Sequence, residues 1–160
     1  MLEIADIEPG SIAEELGIEK GDRLLAVNGQ PVNDLLDYLL EESHEELHIE
    51  IERTDGELWD LEIEHDSDES LGIELPHPEP RQCGNNCIFC FVHQLPWGMS
   101  KTLYVKDEDY RFSYLYGAYV TLTKLSEGDL QRIIEKQLSP LYVSVHATEN
   151  ELRQKLLGKS

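Results

Sequence analysis

The sequence predicts two units in tandem, an α+β module followed by the opening strands and helices of an α/β barrel-like domain. Three observations predict it. Apolar and polar residues alternate between turn signals up to about residue 75, prolines break the chain at 76, 78 and 80, and a β-α-β-α rhythm runs from Tyr119 onward. The expected domains are residues 1–75 and 76–160, and 160 residues suffice for two small domains.

The first module is punctuated by turns. Pro9-Gly10 turns the chain, Ser11 with Glu14 forms a capping-box pattern for a short helix, and Gly17 suits its end. Gly21-Asp22 is a further turn, and Arg23–Val27 reads as a strand. Asn28-Gly29 is a strong hairpin signal because both positions tolerate positive φ. Leu35, Leu36, Leu39 and Leu40 recur at helical spacing. Leu47, Ile49 and Ile51, then Trp59, Leu61 and Ile63, alternate with polar residues about Asp55-Gly56, which predicts a hairpin with one buried face. The acidic run Glu64–Ser70 reads as a loop before the boundary.

The second unit reads differently. Tyr119–Thr123 and Leu141–Val145 are expected strands, the second leading to His146. Between them Ser126 caps a helix with Leu130, Ile133, Ile134 and Leu138 on one face, ended by Pro140. Thr148 and Glu151 form a second capping-box pattern before Leu152, Leu156 and Leu157. Alternation of this kind means parallel strands with helices packed outside. A barrel's first strand is expected before residue 83, yet three prolines occupy that place.

Acids outnumber bases by 33 to 13, giving a formal net charge of −20. Such a surface repels phosphate backbones and anionic bilayers, which argues against nucleic-acid and membrane partners. No apolar run approaches the ~20 residues of a spanning helix, and Met1–Asp6 lacks the features of a secretory signal. The chain is therefore expected to be cytoplasmic.

Cys83, Cys87 and Cys90 are the three cysteines, all within eight residues. This is a poor disulfide framework and a good cluster of soft ligands. A three- then two-residue spacing lets one loop present three sulfurs to three corners of an iron–sulfur cubane and leaves the fourth iron open. The alternatives are a Cys3His zinc knuckle completed by His93, with no catalysis, a non-catalytic iron–sulfur protein, and unliganded structural cysteines.

The C-x3-C-x2-C spacing with Phe89 before the last cysteine resembles the radical SAM superfamily motif. The runs Cys87–Pro96, Gly98-Met99, Lys101–Tyr104, Asp109–Arg111 and Leu141–Thr148 resemble one family in particular, the PDZ-linked radical SAM proteins with a further C-terminal domain of unknown function. Glu8–Glu14 and Gly21–Gly29 resemble bacterial PDZ domains. The resemblance covers the whole chain and the front part of a family member. It implies an α+β PDZ-like domain followed by the N-terminal portion of a radical SAM α/β (TIM-like) barrel. It also implies a [4Fe-4S] cluster on Cys83, Cys87 and Cys90, with S-adenosyl-L-methionine chelating the fourth iron and Phe89 near its adenine. An electron donor and a protein or peptide ligand of the PDZ-like module are the implied partners.

Thr123, Ser144 and His146 stand at strand ends, where working residues of βα barrels sit. For His146 a hydrogen-bonded strand-end role is the competing reading. No Gly-Gly-Glu run of the kind that binds the cofactor's amino group is present; Gly117-Ala118-Tyr119 is not one. Packing is the expectation for Tyr110, Tyr114, Tyr116 and Tyr119, and a turn anchor for Trp97-Gly98. Leu71-Gly72-Ile73 is apolar-Gly-apolar, like a PDZ carboxylate loop, and either supplies that loop in circularly permuted order or is only a connecting strand. Two strands fall short of the ~eight βα units of a closed barrel. The chain is accordingly expected to be a fragment, a truncated frame or one partner of a split protein, weak in cluster binding and turnover alone.

Overall fold

The computed structural model describes residues 1–158, so the last two positions of the second expected domain lie outside the described residues. The chain divides into two compact units, Met1–Pro78 and Glu79–Ser160.

The first unit runs β1 (Leu2–Glu3), β2 (Asp6–Ile7), α1 (Ile12–Glu15), β3 (Arg23–Val27), β4 (Gln30–Pro31), α2 (Leu35–Glu42), β5 (Glu46–Glu52), β6 (Leu58–Glu64) and β7 (Ile73–Glu74). An antiparallel sheet has the order β1-β3-β5-β6 with β4 on β3, and β2 pairs with β7 separately. The period-2 pattern sets the register: Leu47, Ile49 and Ile51 are buried and face Ile63, Leu61 and Trp59 across the ladder. Asn28 and Gly29 have φ of 51° and 71°, the double left-handed geometry of a tight hairpin turn. The Ser11 hydroxyl accepts the Glu14 N–H at 3.3 Å, and the Glu14 carboxylate accepts the Gly10 N–H at 2.6 Å, a reciprocal cap one residue offset from the usual box.

Asp34 caps α2, whose Leu36 is buried and whose Tyr38 enters a core shared with Ile4, Leu24, Val27, Ile49, Ile51 and Leu71. In this unit the fully buried Asp22 accepts the Glu19 N–H at 2.9 Å and the Thr54 N–H at 3.2 Å. It also pairs with Arg53 at 3.2 Å, and that guanidinium lies 4.0 Å from the Trp59 ring centre. The Gly21-Asp22 turn is thereby tied to the β5–β6 hairpin through satisfied buried polar groups. Residues 65–78, which hold all but the first residue of the acidic run, belong to this unit because they return to supply β7.

The second unit opens with an isolated antiparallel bridge, Gln82 to Asp107, and among its described residues no strand precedes the cysteines. Short 3-10 turns follow at Val92–Gln94 and Lys101–Tyr104, then α3 (Tyr110–Tyr116), β8 (Tyr119–Val120), α4 (Glu127–Glu135), β9 (Tyr142–Val143) and α5 (Asn150–Leu157). β8 and β9 pair in parallel, Tyr119 with Tyr142 and Val120 with Val143. The expected β-α-β-α order is present, as a mixed α/β unit with no closed barrel among the described residues.

Several local expectations change. Both strands are shorter than their apolar runs; in the first, Leu122 takes left-handed backbone, φ 56°, which ends extended structure, and His146, just past the second run, is left-handed too at φ 65°. Ser126 and Asp129 form the capping box of α4, but α5 starts from Glu149 with no side-chain cap, so the Thr148–Glu151 box does not form. On α4 Leu138 is buried beyond the helix end, whereas Leu130 and Ile134 are 49% and 63% exposed. Trp97 is fully exposed and anchors nothing, and of the four tyrosines Tyr110 is buried while Tyr116 and Tyr119 are not. A two-stranded sheet has too little surface to cover these apolar groups.

Candidate functional site

The cysteine loop has no ladder of its own, so its backbone groups must be satisfied from neighbouring elements. The Cys83 N–H donates to the Lys106 carbonyl at 2.5 Å. The Asn86 and Ile88 N–H groups donate to the carbonyls of Leu157 and Leu156 at 3.0 and 3.1 Å, the last turn of α5. Those carbonyls lack intrahelical partners, so helix end and loop complete each other. Gly158 caps α5 with φ 64°, and a Cβ there would lie 2.2 Å from the Asn86 carbonyl oxygen. The close docking of loop on helix therefore requires glycine.

Asn85, 3% exposed, holds the middle of the loop. Its amide donates to the Thr121 and Thr123 hydroxyls at 3.1 and 2.8 Å, and its carbonyl accepts from Thr123 at 3.1 Å. The segment carrying those threonines is fixed by Glu108, whose carboxylate accepts the N–H groups of Thr121 (2.9 Å) and Thr123 (3.3 Å). Arg153 of α5 donates to the carbonyls of Thr121 (2.7 Å) and Val145 (3.1 Å), beyond the ends of β8 and β9. Lys106 donates to the Asn85 carbonyl at 2.8 Å, and Lys124 to that of Gln82 at 2.6 Å.

This scaffold forms a cleft of about 440 Å³ with Cys83, Cys87 and Cys90 on its wall, together with Phe89, Ser144 and His146. It lies beside the C-terminal ends of the two parallel strands, the usual ligand position in such sheets. The Phe89 and His146 rings are 4.8 Å apart between centres and tilted by 58°. Of the strand-end candidates, Ser144 and His146 line the cleft, and Thr123 is engaged by Asn85. His93 lies elsewhere, in a groove of about 400 Å³ with Trp97 and Tyr104, its Nε2 3.2 Å from the Lys106 ammonium. A larger hollow of about 580 Å³, between Glu46, His48, Glu62 and Glu64, is an acidic surface groove of the first unit.

The three thiols are free and partly exposed. Burial pushes the Cys87 thiol up, its neighbours Cys83 and Cys90 push it further, and Lys106 acts in the opposite direction. Crowded thiols resist becoming crowded thiolates until a cation compensates the charge. Among the described residues no three His, Cys, Asp or Glu side chains are gathered tightly enough for one metal ion. A cubane differs in giving each thiolate its own iron. Three soft donors on one loop, with Phe89, Phe91 and Val92 as an apolar wall, fit that group.

Asn85, Lys106, Glu108, Arg153 and Gly158 were not marked by the sequence. Asn85 lies inside the cysteine motif and Glu108 in the run Asp107–Asp109, which are the available signals. Arg153 acts only through distant carbonyls and leaves none.

A hairpin-rich module in front of an α/β unit with a three-cysteine loop at its strand ends defines the class, a cysteine-loop α/β domain with an appended β-rich module. A family model described as radical SAM-like domain matches residues 65–160, and a PDZ domain model matches residues 3–53. The chain belongs to the radical SAM-like domain family and carries a PDZ domain ahead of it. None of the curated proteins compared matches it. Among the described residues no helix is long and apolar enough to cross a membrane.

Proposed function

We propose that Cys83, Cys87 and Cys90 hold a [4Fe-4S] cluster, that S-adenosylmethionine binds beside it, and that the PDZ domain engages a protein or peptide. The observation that supports this most is the shared cleft: three thiols and the ends of two parallel strands line one cavity. A bound cluster, once reduced by an electron donor, would supply the one electron needed for reductive cleavage of S-adenosylmethionine to methionine and a 5′-deoxyadenosyl radical. The chain's own contribution is to hold and to exclude. Asn85 and the end of α5 fix the loop so that the sulfurs stay on one wall. Phe89 and His146, tilted against each other, offer an aromatic corner against which a heteroaromatic ring packs. Ser144 offers a hydroxyl toward the polar part of a ligand.

Anaerobic reconstitution with iron and sulfide tests the reading. The expected result is about four irons per chain and a broad visible band bleached by dithionite, both lost in Cys87→Ala. One tightly held zinc, no chromophore and dependence on His93 would refute it in favour of the zinc knuckle.

A further inference from the structure

The PDZ domain contains a carboxylate-binding donor set that its own helix fills. Glu42 is the last residue of α2, where a negative charge meets the negative end of the helix dipole and no basic side chain stands in the last turn. The carboxylate is stabilised from outside the helix backbone. Its Oε1 accepts the Leu71 N–H at 2.9 Å, the Ser70 hydroxyl at 3.0 Å and the Tyr38 hydroxyl at 2.8 Å. Burial and the adjacent Glu42 charge push the Tyr38 phenol far up, so it stays a donor.

The position of these donors matters. Ser70 and Leu71 lie just ahead of Gly72 and β7. The Gly72 and Glu74 carbonyls accept the Glu8 and Ala5 N–H groups at 2.9 and 2.8 Å, so those peptide groups face β2. In an extended strand the intervening residue faces the other way. The Ile73 backbone therefore looks toward the edge from which Glu42 reaches Leu71. Strand addition beside a backbone N–H that captures a C-terminal carboxylate is a recurring peptide-recognition mode. Gly72 makes the turn feasible: at φ 79° a Cβ would lie 2.3 Å from the Ser11 Cβ.

We infer that Glu42 is the resident ligand of this carboxylate loop, so that the native groove does not read a peptide's free C-terminus. The inference rests on the peptide-binding reading above. Three donors converging on one carboxylate oxygen form a charge-assisted set that an incoming carboxylate must displace. A peptide bound by the native chain is read along the β7 edge, and removing the Glu42 carboxylate converts the groove into a C-terminus reader.

The test uses the full chain as wild type, Glu42→Ala and Glu42→Gln. The probe is a fluorescein-labelled pool of decapeptides ending in Val, Leu or Phe, made once as free acids and once as C-terminal amides. The expected acid-to-amide affinity ratio is about 1 for wild type and at least about tenfold higher for Glu42→Ala, with Glu42→Gln between them. If Glu42→Ala does not fold, by circular dichroism, a rise in Glu42→Gln over wild type supports the inference and an unchanged ratio overturns it. A wild-type preference for free acids of about tenfold overturns the cap and keeps peptide binding. Equal binding of acids and amides by all three forms does the same. No peptide binding by any form overturns both.

Discussion

Replacing Gly158 with alanine tests how the cysteine loop is held. The added Cβ would lie 2.2 Å from the Asn86 carbonyl oxygen and 2.7 Å from its carbon. Ordinary contact needs about 3.5 Å, so loop and helix must separate by about 1 Å or more. The obstacle is backbone, which cannot rotate aside. Left-handed φ costs a non-glycine residue ~1–2 kcal/mol. Overpacking against a fixed neighbour adds ~1–3 kcal/mol, for a total of about 2–5 kcal/mol. Gly98 is the control in the same unit, since its φ is 86° and nothing lies within 4 Å of the added Cβ. Gly98→Ala therefore carries only the backbone component, ~1–2 kcal/mol. Urea denaturation followed by circular dichroism compares the two variants in the transition of the second unit. Iron content after reconstitution then reports whether the displaced loop still gathers its thiols. Equal destabilisation by the two variants, with undiminished iron in Gly158→Ala, would refute the docking argument.

Further outcomes are expected. Asp109 accepts from Arg111 at 2.6 Å with its side chain fully buried, so Asp109→Ala should cost ~3–5 kcal/mol in urea denaturation by removing the carboxylate that faces the guanidinium. Burial alone would raise the Asp109 pKa, but hydrogen bonds and charge from Arg111, with the Arg81 N–H, hold it below the usual range. The unfolded chain then takes up the proton first as pH falls. This stabilisation is complete above about pH 4 and fades below it toward the depressed folded value, an acid limb that Asp109→Asn should flatten. Glu108→Gln weakens acceptance from the Thr121 and Thr123 N–H groups and should cost ~1.5–3 kcal/mol, with lower iron retention on gel filtration. Ile49→Ala, at a fully buried position, should destabilise the first unit by ~2–5 kcal/mol while leaving iron uptake unchanged.

Sequence order was enough for the first unit because its signals are local. Asn28-Gly29 fixes its turn through two left-handed residues, and the Leu47-Ile49-Ile51 alternation fixes one strand face. The cysteine spacing is equally local: three thiols within eight residues share a loop in any fold that keeps the segment together. Strand lengths in the second unit were less legible, because nothing in the composition of left-handed Leu122 distinguishes it from a residue that continues a strand.

Tertiary structure alone decided what holds and surrounds those features. The cysteine loop owes its position to Asn85, to the α5 carbonyls and to the space left by Gly158, all across long sequence separations. His146 meets Phe89, and His93 turns to Lys106, for the same reason. Leu71-Gly72 pairs with the β2 side and receives Glu42, which the tripeptide pattern cannot indicate. Periodicity reports which way a side chain faces within its own element. Which carbonyl, carboxylate or ring it then meets depends on chain closure over tens of residues, and only the packed structure fixes that.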